Sequence, residues 1–276
     1  MLIKKERFHF AQEEEGQLMV DVTDRVNNRP IDGASVSISY VGDPQDTLEQ
    51  LTTDSNGMTE EIDLAAPPRS YSEYPLSDVQ PYSEYNLIIT APGYEPTTIS
   101  GSEIFSGELS IQPVRLNPVL PNASASVINI PANTLWGVFP PKIPEDEIKP
   151  VRSSGEIVLS RVVIPEYVVV HDGVPSDSSA TDYYVRYADY IKNVASSEIY
   201  STWPEATLRA NITAIMSFTL NRVYTEWYRN KGYDFTITTS TAYDHKWVYG
   251  RNIFDSISRI VDEIFASYVS RPNVKQ

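Results

Sequence analysis

The hydrophobic period of this chain changes once. Up to about Pro118 apolar residues fall at alternate positions; beyond about Tyr187 they recur every third or fourth residue. The first spacing places side chains on one face of a strand, the second on one stripe of a helix. The expected fold class is therefore α+β, an N-terminal run of strands followed by a mixed, helix-rich region. At 276 residues the chain is long enough for two domains of ordinary size.

Residues 1–16 read as a charged tail ending in Glu13-Glu14-Glu15-Gly16. From 17 to 118 the pattern is all β. Alternation is visible at Leu18–Val22, Ala34–Tyr40, Tyr85–Ile89 and Glu108–Ile111, and turn formers stand between these runs, among them Asp32-Gly33, Asp54–Gly57 and Pro92-Gly93. Short strands at this spacing predict an antiparallel β-sandwich. Residues 119–160 read as a linker, with six prolines from Pro121 to Pro150 and an acidic knot at Glu145-Asp146-Glu147. Trp136 and Phe139 are expected to dock part of it, and such a segment is also where a protease could cut.

From Arg161 to His171 a strand-like run is broken by Pro165, and Asp172-Gly173 marks a turn. A helix is predicted near Tyr187 to Ile199. A second begins at Thr202-Trp203-Pro204-Glu205, read as a capping box with Pro204 in the first turn, and ends at Gly232. Leu208, Ile212, Ile215, Thr219, Val223 and Trp227 form its buried stripe. A short strand is expected at 236–239, and a last helix carries Ile253, Ile257, Ile260, Val261, Ile264 and Tyr268.

Composition narrows the function. Asp and Glu outnumber Lys and Arg by 37 to 22, a net charge of −15, which opposes binding of a phosphate backbone or an anionic membrane surface. There is no cysteine and there are three histidines, so thiolate chemistry and Cys- or His-rich metal centres are excluded. No apolar run approaches the ~20 residues of a spanning helix. The basic N-terminus has no apolar segment behind it, so no signal peptide is recognised. No cofactor is implied, because phosphate loop, dinucleotide and metal motifs do not occur.

Two stretches resemble known families. Arg29-Pro30-Ile31-Asp32-Gly33-Ala34, then Thr53-Asp54-Ser55-Asn56-Gly57, then the run Tyr85–Tyr94 ending in Ala91-Pro92-Gly93-Tyr94, are similar to the carboxypeptidase regulatory-like (transthyretin-like) sandwich. That resemblance implies a non-catalytic spacer or interaction module over 17–118, which ahead of a lytic domain would serve as pro-region or spacer; Tyr94 is expected to pack its ring on the core edge and keep its hydroxyl wet.

The second stretch is Tyr190-Ile191-Lys192-Asn193-Val194-Ala195-Ser196-Ser197-Glu198-Ile199-Tyr200-Ser201-Thr202-Trp203-Pro204, with Leu208–Asn211 after it and Ser240–Gly250 further on. It resembles the SpoIID/LytB family of peptidoglycan-active proteins. With Ile164-Pro165-Glu166-Tyr167 before it and Asn221–Arg229 behind, it is similar to the SleC-type spore cortex-lytic enzymes that act in germination. The resemblance spans residues 161–272 and implies a mixed, helix-rich SpoIID-like domain over 161–276. It implies a lytic transglycosylase or muramidase-like activity on peptidoglycan, spore-cortex or cell-wall localisation, and activation by a protease.

The family's catalytic acid carries over onto Glu198, and Tyr200, Trp203, Asp244 and Tyr249 are the candidate substrate-binding residues. Glycosidic cleavage requires an acid that keeps its proton near neutral pH, and a Glu at a helix end between aromatic rings would be desolvated enough to do so. A single acid that later acts as base departs from the two-carboxylate pattern, and no metal is required.

Plainer readings stand beside these. Glu198 also reads as a solvated helix residue, Trp203 as a core or staple residue, and Asp244 and His245 as a turn residue and a surface imidazole. Met216 stands where the family's helix carries Arg. The chain ends at Gln276, before the family's Ser-Gln-Tyr/Trp-Gly segment, so the domain is expected to lack its C-terminal part. The alternative function is therefore a non-catalytic structural or peptidoglycan-binding protein with a degenerate SpoIID-like module.

Overall fold

The computed structural model describes residues 14–74, 79–120, 125–133, 135, 140–142, 159 and 161–270. Most of the segment read as a linker lies outside these residues, including Trp136, Phe139 and the acidic knot. The fold is α+β, and the chain divides into two compact units. The first comprises Met1–Thr134, Tyr200–Trp203 and Tyr249–Ser256; the second comprises Leu135–Ile199, Pro204–Val248 and Ile257–Gln276. Two segments assigned by sequence to the second domain, 200–203 and 249–256, complete the first.

The first unit contains β1 (Glu14–Asp24), β2 (Ser35–Tyr40), β3 (Asp43–Thr52), β4 (Ile62–Ala66), the single turn α1 (Ser70–Glu73), β5 (Tyr82–Thr90), β6 (Thr97–Phe105), β7 (Leu109–Leu116) and β8 (Ser126–Asn129). One sheet has the order β3-β2-β5-β6-β8. The other has the order β12-β7-β1-β4, where β12 is Ile253–Phe254. Alternation dictates which residues face the core: Leu18, Val20 and Val22 of β1, Val36 and Ile38 of β2, and Leu87 and Ile89 of β5 are all fully buried.

The sandwich is not purely antiparallel. β1 runs parallel to β7, and β6 parallel to β8. Residues 106–108 carry the chain from one sheet to the other, so that β6 and β7 do not pair and β7 lies alongside β1. The tail also ends earlier than expected, since Glu14–Gly16 already pair with β4. β8 lies in the segment read as linker.

β7 departs from the apparent alternation. Ser110 and Gln112 are buried, whereas Leu109 and Ile111 are only partly so. The inward polar atoms serve hydrogen bonds: Ser110 Oγ donates to Glu103 O at 2.7 Å, and Gln112 Nε2 to Gly250 O at 2.8 Å. The turn motifs behave as their chemistry requires. Asp54 Oδ1 accepts from Asn56 N and Met58 N, and Gly57 takes φ +79° where a Cβ would lie 2.5 Å from Val22 O. The Tyr94 hydroxyl donates to Asp24 Oδ2 at 2.9 Å.

The second unit holds a three-stranded sheet of order β10-β9-β11, with β9 at Tyr167–His171, β10 at Asp182–Arg186 and β11 at Ile237–Thr238. Its helices are α2 (Tyr187–Glu198), α3 (Glu205–Tyr224) and the Ile257–Ile264 part of α4, which spans Asp255–Ile264. Tyr190, Ile191 and Val194 of α2, Leu208, Ile212, Met216 and Leu220 of α3, and Ile257, Ile260 and Val261 of α4 are buried. Val169, Trp227, Tyr228 and Phe235 form a second cluster on the β9 side.

Both ends of α3 differ from expectation. Thr202 caps nothing in the helix; its hydroxyl donates to Ser72 Oγ in the first unit, and Pro204 occupies the cap position without a side-chain bond. The helix stops at Tyr224 rather than at Gly232 because Glu226 takes φ +47° and Trp227 N returns to Arg222 O. Ile253 and Phe254 form a strand beside Ile111 and Ser110 instead of opening the last helix. None of the described helices is long and apolar enough to cross a membrane.

Candidate functional site

Glu198 is the last residue of α2 and is partly buried. Its Oε1 accepts a hydrogen bond from Lys246 N at 2.7 Å. Burial pushes its carboxyl above the ordinary value, against the Lys246 amide and the charges of Lys142 and Lys246, which pull it down. Net, the acid form is favoured relative to a free glutamate. Tyr190, two turns earlier on α2, has its hydroxyl held neutral chiefly by burial and further by the charges of Asp244 and Glu198.

The loop that supplies the Lys246 amide is pinned at both ends. At one end stands Asp244, 2% exposed. Its Oδ1 accepts from Arg222 Nε at 2.7 Å; its Oδ2 accepts from Tyr228 Oη at 2.6 Å, Thr238 N at 2.9 Å and Thr238 Oγ1 at 2.7 Å. Lys142 Nζ donates to the Asp244 carbonyl at 2.8 Å. Arg222 stacks its guanidinium 4.2 Å from the Trp227 ring. At the other end, Asn193 of α2 bonds both backbone groups of Val248: Nδ2 to Val248 O at 2.8 Å, and Val248 N to Oδ1 at 2.9 Å.

Between these anchors His245 is buried beside Phe218, with its Nδ1 3.3 Å from the Tyr190 hydroxyl. Burial, and then the charges of Lys142 and Arg222, push its pKa down to about 3. The ring is neutral at neutral pH. It is not the surface imidazole the sequence suggested.

The other sequence candidates have structural employment. Asp244 closes the turn that begins at Ser240 and is buried there, with both carboxylate oxygens engaged by protein. Tyr200 is buried in the first unit, with its ring 5.4 Å from Phe105 and 5.8 Å from Trp203. Trp203 Nε1 donates to Ser72 O at 3.0 Å. Tyr249 Oη accepts from Arg25 Nη1 at 3.0 Å. Tyr200, Trp203 and Tyr249 therefore complete the sandwich unit, while Glu198 and Asp244 belong to the second.

Asn193, Arg222 and the Lys246 amide are the residues sequence reasoning missed. Asn193 left one trace, a polar side chain one turn from both Tyr190 and Ser197 on a helix face that is otherwise buried. Among the described residues, no group of three or more His, Asp or Glu is placed to hold a metal ion.

No family model matches the sequence, and no curated protein is similar to it. Similar solved structures include the Bacillus anthracis TIE protein, 16% identical, which covers 38% of this chain and 17% of its own at a TM-score of 0.26. Klebsiella pneumoniae 5-hydroxyisourate hydrolase is 20% identical over 38% of this chain and 92% of its own, TM-score 0.25. The minor pilin GBS52 of Streptococcus agalactiae is 17% identical over 40% and 47%, TM-score 0.27.

Proposed function

We propose that the chain acts on the glycan strands of peptidoglycan, spore cortex in the first instance. In this reading it is a SpoIID-like lytic transglycosylase or muramidase, with Glu198 as the acid. The observation that carries the reading is the state of that carboxyl: at a helix end, partly buried, raised above its ordinary value and held on one oxygen by Lys246 N. A proton retained there can be handed to the leaving glycosidic oxygen as its bond to the anomeric carbon breaks; the resulting carboxylate then takes the proton of the hydroxyl that bonds to that carbon, the sugar's own in the transglycosylase form or water's in the hydrolytic one, and is thereby returned to the acid. The 1–134 portion acts as a spacer of the carboxypeptidase regulatory-like kind. Because 200–203 and 249–256 complete its unit, a fixed spacer suits it better than a removable pro-region.

One observation favours the rival reading, a non-catalytic structural or glycan-binding protein. The hydrogen-bonding edges of Trp203 and Tyr249 and both oxygens of Asp244 are taken up within the protein. The Glu198→Gln variant separates the two. The lytic reading expects solubilisation of purified cortex fragments by the wild type and none by the variant. Retention of both proteins on insoluble peptidoglycan, with no solubilisation by either, selects the rival.

A further inference from the structure

We infer that Asn193 is a positioning residue for Glu198, acting through the 244–248 loop; this rests on the reading of Glu198 as the acid. The geometry is a clamp. The Asn193 amide donates to and accepts from the backbone of Val248, as a neighbouring strand would, and is 7% exposed. Five residues further along the same helix, Glu198 accepts from Lys246 N. Helix and loop are thus joined at two points, and Asp244 fixes the loop's far end through Arg222, Tyr228 and Thr238. A loop held at residues 244 and 248 has little freedom to withdraw the amide at 246. Freed at 248, it pivots on Asp244 and the bond to Glu198 is the next to be lost.

The Lys246 N–H stabilises the ionised form of Glu198, and burial opposes it. The charged and titratable groups that interact with the carboxyl are Lys142, Lys246 in the loop, and Tyr190 on the same helix. A change at Asn193 alters none of them directly. Its effect reaches the acid through the loop, which carries both the Lys246 amide and the Lys246 charge.

The test follows the Glu198 side-chain carboxyl by carbon-detected NMR titration in the full chain, wild type against Asn193→Ala. The expected result is an upward displacement of the Glu198 midpoint by about one pH unit, the scale of one backbone donor lost, with Lys246 amide exchange accelerated at least about tenfold. A folded variant with unchanged midpoint and unchanged Lys246 exchange overturns the proposal. Should the variant not fold, the wild type decides: Lys246 and Val248 amides are expected to exchange through one shared opening. Lys246 exchanging on its own, more than about a hundredfold faster than Val248, refutes the clamp. These readouts need no turnover, so absence of peptidoglycan cleavage would defeat the lytic reading and leave the clamp standing.

Discussion

Arg251→Met tests why the segment after residue 248 belongs to the sandwich unit. Arg251 and Glu103 are both fully buried, and Nη1 meets Oε2 at 2.7 Å. Glu103 Oε1 accepts from Asn133 N at 2.8 Å, Arg251 Nη2 donates to Pro131 O at 2.8 Å, and Asn252 bonds the Glu103 backbone on both sides. Methionine nearly matches the arginine in volume, so little cavity arises. The loss is chiefly that of the cation facing a carboxylate that water cannot reach. Breaking such a pair from one side costs about 3–5 kcal/mol. With a urea slope of about 2 kcal/mol per M, the midpoint should fall by roughly 1.5–2.5 M.

The two units can unfold separately, so the readout should be urea-dependent hydrogen exchange at Leu18 and Val114, which report the sandwich alone. Glu103→Gln with Arg251→Met removes both charges while keeping an acceptor for Asn133 N. It should recover at least about half of the loss. A single variant that costs under about 1 kcal/mol, or a double variant no better than the single, would refute the reasoning.

Asp244→Asn should destabilise the second unit by a similar ~3–5 kcal/mol, since it strands the buried Arg222; a loss confined to glycan affinity, with the urea midpoint unmoved, would contradict the structural role. His245 resists protonation in the fold, with its pKa at about 3 against an ordinary 6.5. The unfolded chain takes up a proton as pH falls through 6.5, and the folded chain does not until about 3. Stability is thus complete above 6.5 and drops by up to about 1.4 kcal/mol per pH unit below it; in His245→Gln that slope should be absent from urea titrations at pH 6 to 4. Gly250→Ala should weaken the sandwich, because φ is +75° and the new methyl would lie 2.6 Å from Ile128 Cγ2; an unchanged melting temperature would contradict it.

The elements legible in the sequence are those with one buried face. β1, β2, β5 and α2 were readable because their apolar period survives intact; Glu198 at the end of α2 was singled out by the resemblance to the SpoIID/LytB family and not by that period. β3 was invisible: all but Leu51 of its residues are exposed, so no alternation marks it. Ile253 and Phe254 fit a helical stripe as well as a strand, and only β7, about 140 residues away, decides between them. Thr202 carried the pattern of a capping box, yet a hydroxyl on α1 claimed it. Asp244 gave no sign of its partners because Arg222 and Tyr228 approach it through tertiary folding. Local pattern reveals which face is dry, not which polar group a distant segment will bring to it.

The most direct measurement of the central claim is mass spectrometry of the fragments released from purified cortex peptidoglycan by the wild type and by Glu198→Gln. The account predicts muropeptides from the wild type, with anhydro ends for the transglycosylase form of the reaction or reducing ends for the hydrolytic one, and none from the variant. Equal release by both proteins, or none by the folded wild type, would contradict it.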